Sequence, residues 1–133
     1  MGENSILDDL KQLYFLDMEI RQLEQELFET ESKWRSVNLH GGFYASGSVS
    51  DPTGNMALAI IEYSGLIDKA VKELYEKKAK CEQYIQNLDD PVLRTVLRMR
   101  FIKFYSWIAI ARKMGSRCEA TPRMIVERFF NEK

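Results

Sequence analysis

Three observations predict an all-α protein. Apolar residues recur every seven positions over residues 5–37 and again over 52–88. Each of the three prolines follows a side chain able to cap a helix, at Asp51-Pro52, Asp90-Pro91 and Thr121-Pro122. Residues 91–133 read as short helices about a Gly-containing turn. Together they predict a long antiparallel helical hairpin, coiled-coil-like, over residues 1–88, followed by a small three-helix helix-turn-helix module over 89–133.

The first helix is expected over 5–37. Ile6, Leu13, Ile20, Leu27 and Trp34 form one side of its seam, and Asp9, Leu16, Leu23, Thr30 and Val37 the other. Eight of these ten positions are apolar, which is a coiled-coil seam rather than a general amphipathic stripe. Asn4 or Ser5 can cap its start, and Asp8 and Asp9 suit the positive end of the helix dipole. Residues 38–51, rich in Gly and Ser and without apolar period, read as a flexible loop, either disordered or functional. The second helix is expected from Pro52 to Leu88, with Ile60, Ile67, Leu74, Cys81 and Leu88 on its seam and Lys77 as a polar interruption. Gly65 falls at an outward position and should cost about 1 kcal/mol relative to Ala. Similar lengths and a flexible connection predict that the two helices fold back on each other, burying Leu13, Ile20, Leu27, Ile60, Ile67 and Leu74.

Beyond Asp89-Asp90-Pro91, helices are expected at about 91–104, 107–114 and 122–131. Ser106 can cap the middle one, and Gly115 can end it in the left-handed conformation. Leu93, Val96, Leu97, Phe101, Ile110, Ala111, Met114, Ile125, Val126 and Phe129 form the expected core of the module.

Charge separates the two parts. The 133 residues carry a net charge of −1, but residues 1–88 hold 15 acidic and 9 basic side chains, and residues 89–133 hold 5 acidic and 10 basic. A basic terminal third on a nearly neutral chain points to a polyanion; a merely solvated charged face is the plain alternative. On the last helix Arg123, Met124, Glu127 and Arg128 lie away from the apolar face, with Arg117 and Thr121 at its entrance. Arginine suits bidentate contacts to guanine edges or phosphate, and Lys103, Arg112 and Lys113 could hold phosphates to either side.

Other chemistries find little support. His40 is the sole histidine, so a His-rich metal site is excluded, and no phosphate loop or nucleophile–base pair is visible. No enzyme activity, metal or cofactor is expected. Cys81 and Cys118 are too few for a disulfide scaffold, and Cys81, on the seam, reads as a small buried hydrophobe. No run of 18 apolar residues is present, so no membrane span is expected. The start MGENSILDDL lacks a basic stretch leading into an apolar core, so no secretory signal is expected. Mean hydropathy is −0.34, and the cytoplasm of the cell is the expected location.

The string Tyr105-Ser106-Trp107-Ile108-Ala109-Ile110-Ala111-Arg112-Lys113-Met114-Gly115, preceded by Val96-Leu97-Arg98-Met99-Arg100-Phe101, resembles region four of sigma factors. In particular it is similar to small regulators carried by phages and prophages of Gram-positive bacteria: the ArpU-like and RinA-like late-gene regulators and a related phage family of unknown function. Ser50-Asp51-Pro52-Thr53-Gly54-Asn55 resembles the start of the second helix in that last family. The resemblance implies a phage protein that binds double-stranded DNA and controls transcription in a bacterial host cell. Two departures stand out. Ile108 and Ala109 follow the Trp where polar or acidic residues are usual, so an exposed Ile108 predicts a packing partner. The stretch from Gly115 to Arg123 is one residue longer than the usual turn, and Pro122 replaces a common apolar residue.

Helix-turn-helix proteins usually read paired half-sites with two-fold symmetry, so a homodimer through the helical region is expected. Leu7, Leu10, Tyr14 and Phe28 form a second apolar patch for such contacts; Leu7, Leu10 and Tyr14 could equally dock the basic module. Two other functions fit the sequence. The acidic hairpin could probe a host protein such as RNA polymerase or a defence nuclease. A small-terminase-like role in DNA packaging would also combine DNA-binding and oligomerising helices, although in the opposite chain order.

Overall fold

The computed structural model describes the backbone of residues 2–40 and 52–131, and side chains within 5–37 and 54–131. Every regular element among the described residues is a helix, with no strand. Helix α1 spans Gly2–His40 and α2 spans Pro52–Gln86. At 1.5 Å per residue they are roughly 58 and 52 Å long. Helix α3 spans Pro91–Leu97 and runs on into a π-helical turn at Arg98–Ile102; α4 spans Trp107–Lys113 and α5 spans Ala120–Asn131. None of these helices is long and apolar enough to cross a membrane. The Gly/Ser-rich stretch 41–51 and the side chain of His40 lie outside the described residues.

Several boundaries follow local chemistry. Asp90 caps α3, its carboxylate accepting from the Val92 N–H at 2.9 Å, and Pro91 takes the first helical position. Ser106 caps α4, its hydroxyl accepting from the Ala109 N–H at 3.1 Å. Gly115, at φ +80, stands just beyond α4 in the left-handed region that glycine occupies without steric cost.

Other boundaries differ from expectation. Helix α1 begins at Gly2, so Asn4 and Ser5 lie inside it rather than at its cap. Helix α2 ends at Gln86 instead of Leu88. The helix begun at Pro91 does not stay α-helical to 104: the Lys103 N–H bonds back to the Arg98 carbonyl, five residues away, and Phe104 then adopts φ +62. A left-handed Phe is strained, since its Cβ crowds the neighbouring carbonyl. Its ring meets Tyr14 edge-on at 5.5 Å. Helix α5 starts at Ala120, two residues before Pro122, so Thr121 lies in the first turn and is no cap. Proline is tolerated there because first-turn N–H groups have no helical acceptor in any case.

The chain packs as two units, one of residues 1–16 with 73–133, the other of residues 17–72. Packing is therefore not divided at the Asp89-Asp90-Pro91 composition break. In the first unit the core joins Ile6, Leu10 and Leu13 of α1 to Cys81 and Ile85 of α2, to Leu93, Val96, Leu97 and Ile102, and to Ile110, Val126 and Phe130. Leu10, Cys81, Ile85, Val96, Leu97 and Ile110 are sealed from solvent. Leu7, Leu74, Phe101, Met114, Ile125 and Phe129 pack half-buried against this core. Pro122, Ile102 and Phe130 belong to the buried set although the sequence reading did not place them there.

The two long helices pack against each other, with antiparallel pairing visible at the first unit. Lys80 donates to Asp9 at 2.9 Å, Lys77 lies 3.7 Å from the other Asp9 oxygen, and Lys77 also donates to Gln12. The Asp9 hydrogen bond, followed by its negative charge, holds the Lys80 ammonium above its ordinary pKa. Two of the polar seam positions, Asp9 and Lys77, therefore meet. Replacing Asp9 with Leu leaves Lys77 with Gln12 as its remaining partner and should destabilise by roughly 1 kcal/mol, since the pair is partly exposed. Adding Lys77→Leu should recover most of that loss in chemical denaturation, because an apolar pair then fills the seam.

The second unit is thinly covered. Of its described residues only Ile20 and Ala70 are buried, while Leu27, Ile60 and Ile67 are partly buried, short of the full burial their seam positions predict. Two helices enclose a seam on only two sides, whereas a bundle interior needs a third or fourth.

Burial pushes the Cys81 thiol from its ordinary 9.0 to about 11. The folded state then keeps a proton that the unfolded chain releases, so this contribution to stability is full below about pH 9 and declines as pH rises toward 11. Cys118 is exposed. A thiol reagent at pH 8 should label Cys118 at once and Cys81 only at the rate of opening. Equal labelling rates for both thiols would contradict this packing.

Candidate nucleic-acid interface

The basic side chains of residues 89–131 fall into two sets. One set is structural. Arg98 donates to Glu82 at 3.2 Å and to Gln86 at 2.8 Å, fastening the π-helical turn to the end of α2. Arg94 donates to the Leu88 carbonyl across the turn between α2 and α3. Arg100 donates to the Tyr105 carbonyl at 3.1 Å, with its guanidinium 4.5 Å from the Trp107 ring centre. These are the arginines nearest Asp90 in sequence, and each is held by hydrogen bonds within the fold, Arg98 alone by a carboxylate.

The other set points outward. Lys103, Arg112, Lys113, Arg117, Arg123 and Arg128 are all exposed. The side chains of Lys103, Arg112, Arg117 and Arg128 make no hydrogen bond or ion pair among the described residues. Lys113 lies 5.3 Å from the Tyr105 ring centre, which steadies its stem without neutralising its charge.

Helix α5 presents a clean outer face. Pro122, Val126 and Phe130 are buried, with Ile125 and Phe129 beside them, and Thr121, Arg123, Met124, Glu127 and Arg128 are exposed. At 3.6 residues per turn, Arg123 and Arg128 stand about 140° apart around the helix, on either side of Met124. Arg123 has a loose partner in Glu127, at 3.9 Å, an exposed pair of little energetic weight. The Thr121 hydroxyl pairs at 3.1 Å with that of Ser116, which also accepts from the Cys118 N–H. Thr121 thus helps hold the turn ahead of α5.

The exposed face of α4 meets that turn. Ile108, Arg112, Ser116, Arg117 and Glu119 line a shallow groove of about 580 Å³. Ile108 is 50% exposed in it, as the departure from the sigma-like string leads one to expect. The α1 patch, in contrast, does not survive as one surface. Leu10 is completely buried in the core that includes residues of the basic segment, and Leu7 packs partly buried against that core. Tyr14 and Phe28 remain exposed.

A further hollow of about 470 Å³ lies in the first unit, lined by Lys11, Tyr14, Phe15, Arg100, Phe101, Phe104 and Ser106. The sequence carried a weak signal for it, in adjacent exposed aromatics beyond the heptad seam. Among the described residues no cluster of His, Cys, Asp or Glu could hold a metal. Comparison with protein-family models, curated proteins and solved structures returns no match to this chain.

Proposed function

We propose that the chain is a DNA-binding transcription regulator of the phage type, in which α4 and α5 act as a helix-turn-helix and α5 enters the major groove. The observation that carries this reading is the outer face of α5. Arg123 and Arg128, exposed and free of strong ion pairs, flank Met124 on a helix whose opposite side is buried. Two long donors and a central apolar side chain suit guanine edges on either side of a thymine methyl. Arg112, Lys113, Arg117 and Lys103 supply cations for backbone phosphates. The resemblance of Tyr105–Gly115 to sigma region four supports the same reading.

Binding to a library of phage-genome fragments at near-physiological salt tests it. A preferred fragment should emerge, and its affinity should fall steeply with added salt. No preference over random sequence, together with a flat salt dependence, would remove the reading. A second reading, a host protein such as RNA polymerase as the partner, is favoured by Ile108, half-exposed in a groove with Arg112 and Arg117. Ile108→Ser, which removes the apolar side chain without adding charge, should abolish that partner's binding and leave DNA affinity nearly unchanged.

A further inference from the structure

The second unit leaves more apolar surface in water than two helices can cover. On α2, Leu58 is 59% exposed and Ile61 67%, with Leu66 at 50% beside them; on α1, Phe28 is 63% exposed. Leu58, Ile61 and Gly65 follow the i, i+3, i+7 spacing, so they form one stripe on the outer side of α2. This stripe is distinct from the Ile60 and Ile67 seam.

Gly65 supplies an independent observation. Glycine weakens a helix interior, because its backbone loses the most freedom on folding. A Cβ added at Gly65 would meet nothing within 4 Å. Among the described residues no neighbour therefore requires a glycine there. A helix from outside the chain, crossing α2 closely, would require one.

We propose that the Leu58–Ile61–Gly65 face of α2 is the interface of a homodimer, in which a second copy packs its own α2 across it. The surface is self-complementary, as a two-fold interface must be. It carries a knob, Leu58, and a notch, Gly65, seven residues apart on one face. A two-fold axis passing between the levels of Ile61 and Glu62 runs the second α2 antiparallel and sets Leu58 of each copy opposite Gly65 of the other. The exposed parts of Leu58, Ile61 and Leu66 supply on the order of 700 Å² over two copies, and the polar flanks of the crossing helices extend this toward the roughly 1,200 Å² at which specific interfaces begin.

Sedimentation and light scattering on the full chain provide the test. The parent should have twice the 15.6 kDa chain mass at micromolar concentration. Leu58→Lys with Ile61→Lys should give monomers of unchanged helical circular dichroism. Should that pair disturb folding, Gly65→Leu, whose side chain enters open space in the single chain, keeps the fold and should raise the dimer dissociation constant at least about tenfold by filling the notch. In a Cys118→Ser background, Leu58→Cys and Gly65→Cys chains mixed together should form a mixed disulfide in preference to either homodisulfide. A monomeric parent overturns the proposal, whether residues 41–51 of the same chain or another protein then proves to cover the stripe. An association unaffected by Gly65→Leu and by the lysine pair overturns it equally. The proposal is independent of DNA binding: a dimer without affinity for DNA keeps it, and DNA binding by a monomer removes it while leaving the function above intact.

Discussion

Leu10→Ala is expected to lower stability by about 2–5 kcal/mol, because the removed methyls leave a cavity that packed neighbours refill only in part. Leu10 is fully buried where α1 meets the end of α2 and the residues after Pro91. In a chain of this size the loss should move the melting midpoint by roughly 10–20 °C. A Trp34→Phe background leaves Trp107 as the single reporter, and Trp107 packs against the same core. Phe15→Ala, five residues along α1 and 66% exposed, should change stability by no more than about 0.5 kcal/mol. Similar losses for both would disprove the placement of α1. Residues 89–133 made alone should unfold without a cooperative transition. Val96, Leu97 and Ile110 share their core with Leu10, Leu13, Cys81 and Ile85, which that fragment lacks.

The outer face of α5 carries the other large expectation. If Arg123 or Arg128 reads a base edge, its replacement by Ala should cost about 1–3 kcal/mol on the preferred sequence and relax the preference at one position. The helix begins at Ala120. Arg123 is therefore only one turn inside it, close to the end that enters a groove in this motif, and Arg128 lies more than a turn further on. Arg123→Ala should accordingly have the larger effect on sequence preference. Lys113→Ala should weaken all sequences alike and lower the salt slope by about one unit, as loss of one phosphate contact does. Competition titrations at several salt concentrations separate these outcomes. A triple Ala variant of Arg117, Arg123 and Arg128 that binds like the parent would sink the DNA reading.

The Arg94, Arg98 and Arg100 pairings show why net charge alone overstates such a surface. Residues 89–133 carry 10 basic side chains, yet these three make hydrogen bonds within the fold. Sequence spacing could not separate them from the outward set. Their partners, Leu88, Glu82 and Tyr105, are chosen by how the turn after α2 closes and by the π-helical turn before Phe104. The outward set on α5 was readable, since a helix with Val126 and Phe129 turned inward must turn Arg123 and Arg128 outward.

The sequence by itself determined the all-helical class, the two long helices with their seven-residue seams, and the limits at Asp90-Pro91, Ser106 and Gly115. Each of these rests on interactions within a few residues: a carboxylate or hydroxyl bonding the next turn's N–H, a proline with no N–H to lose, a glycine free to turn left-handed. Only the tertiary structure decided that α5 starts at Ala120, where Pro122 is buried, and that Phe104 takes a left-handed conformation against Tyr14. It also decided that Leu10, one of the residues for which two uses stood open, is sealed in the core. Leu10 and Leu7 join a core with residues some 70 to 120 positions away, while Tyr14 stays half in solvent. Apolar period marks which residues need cover, but what covers them depends on contacts between distant segments, and those exist only once the chain has folded.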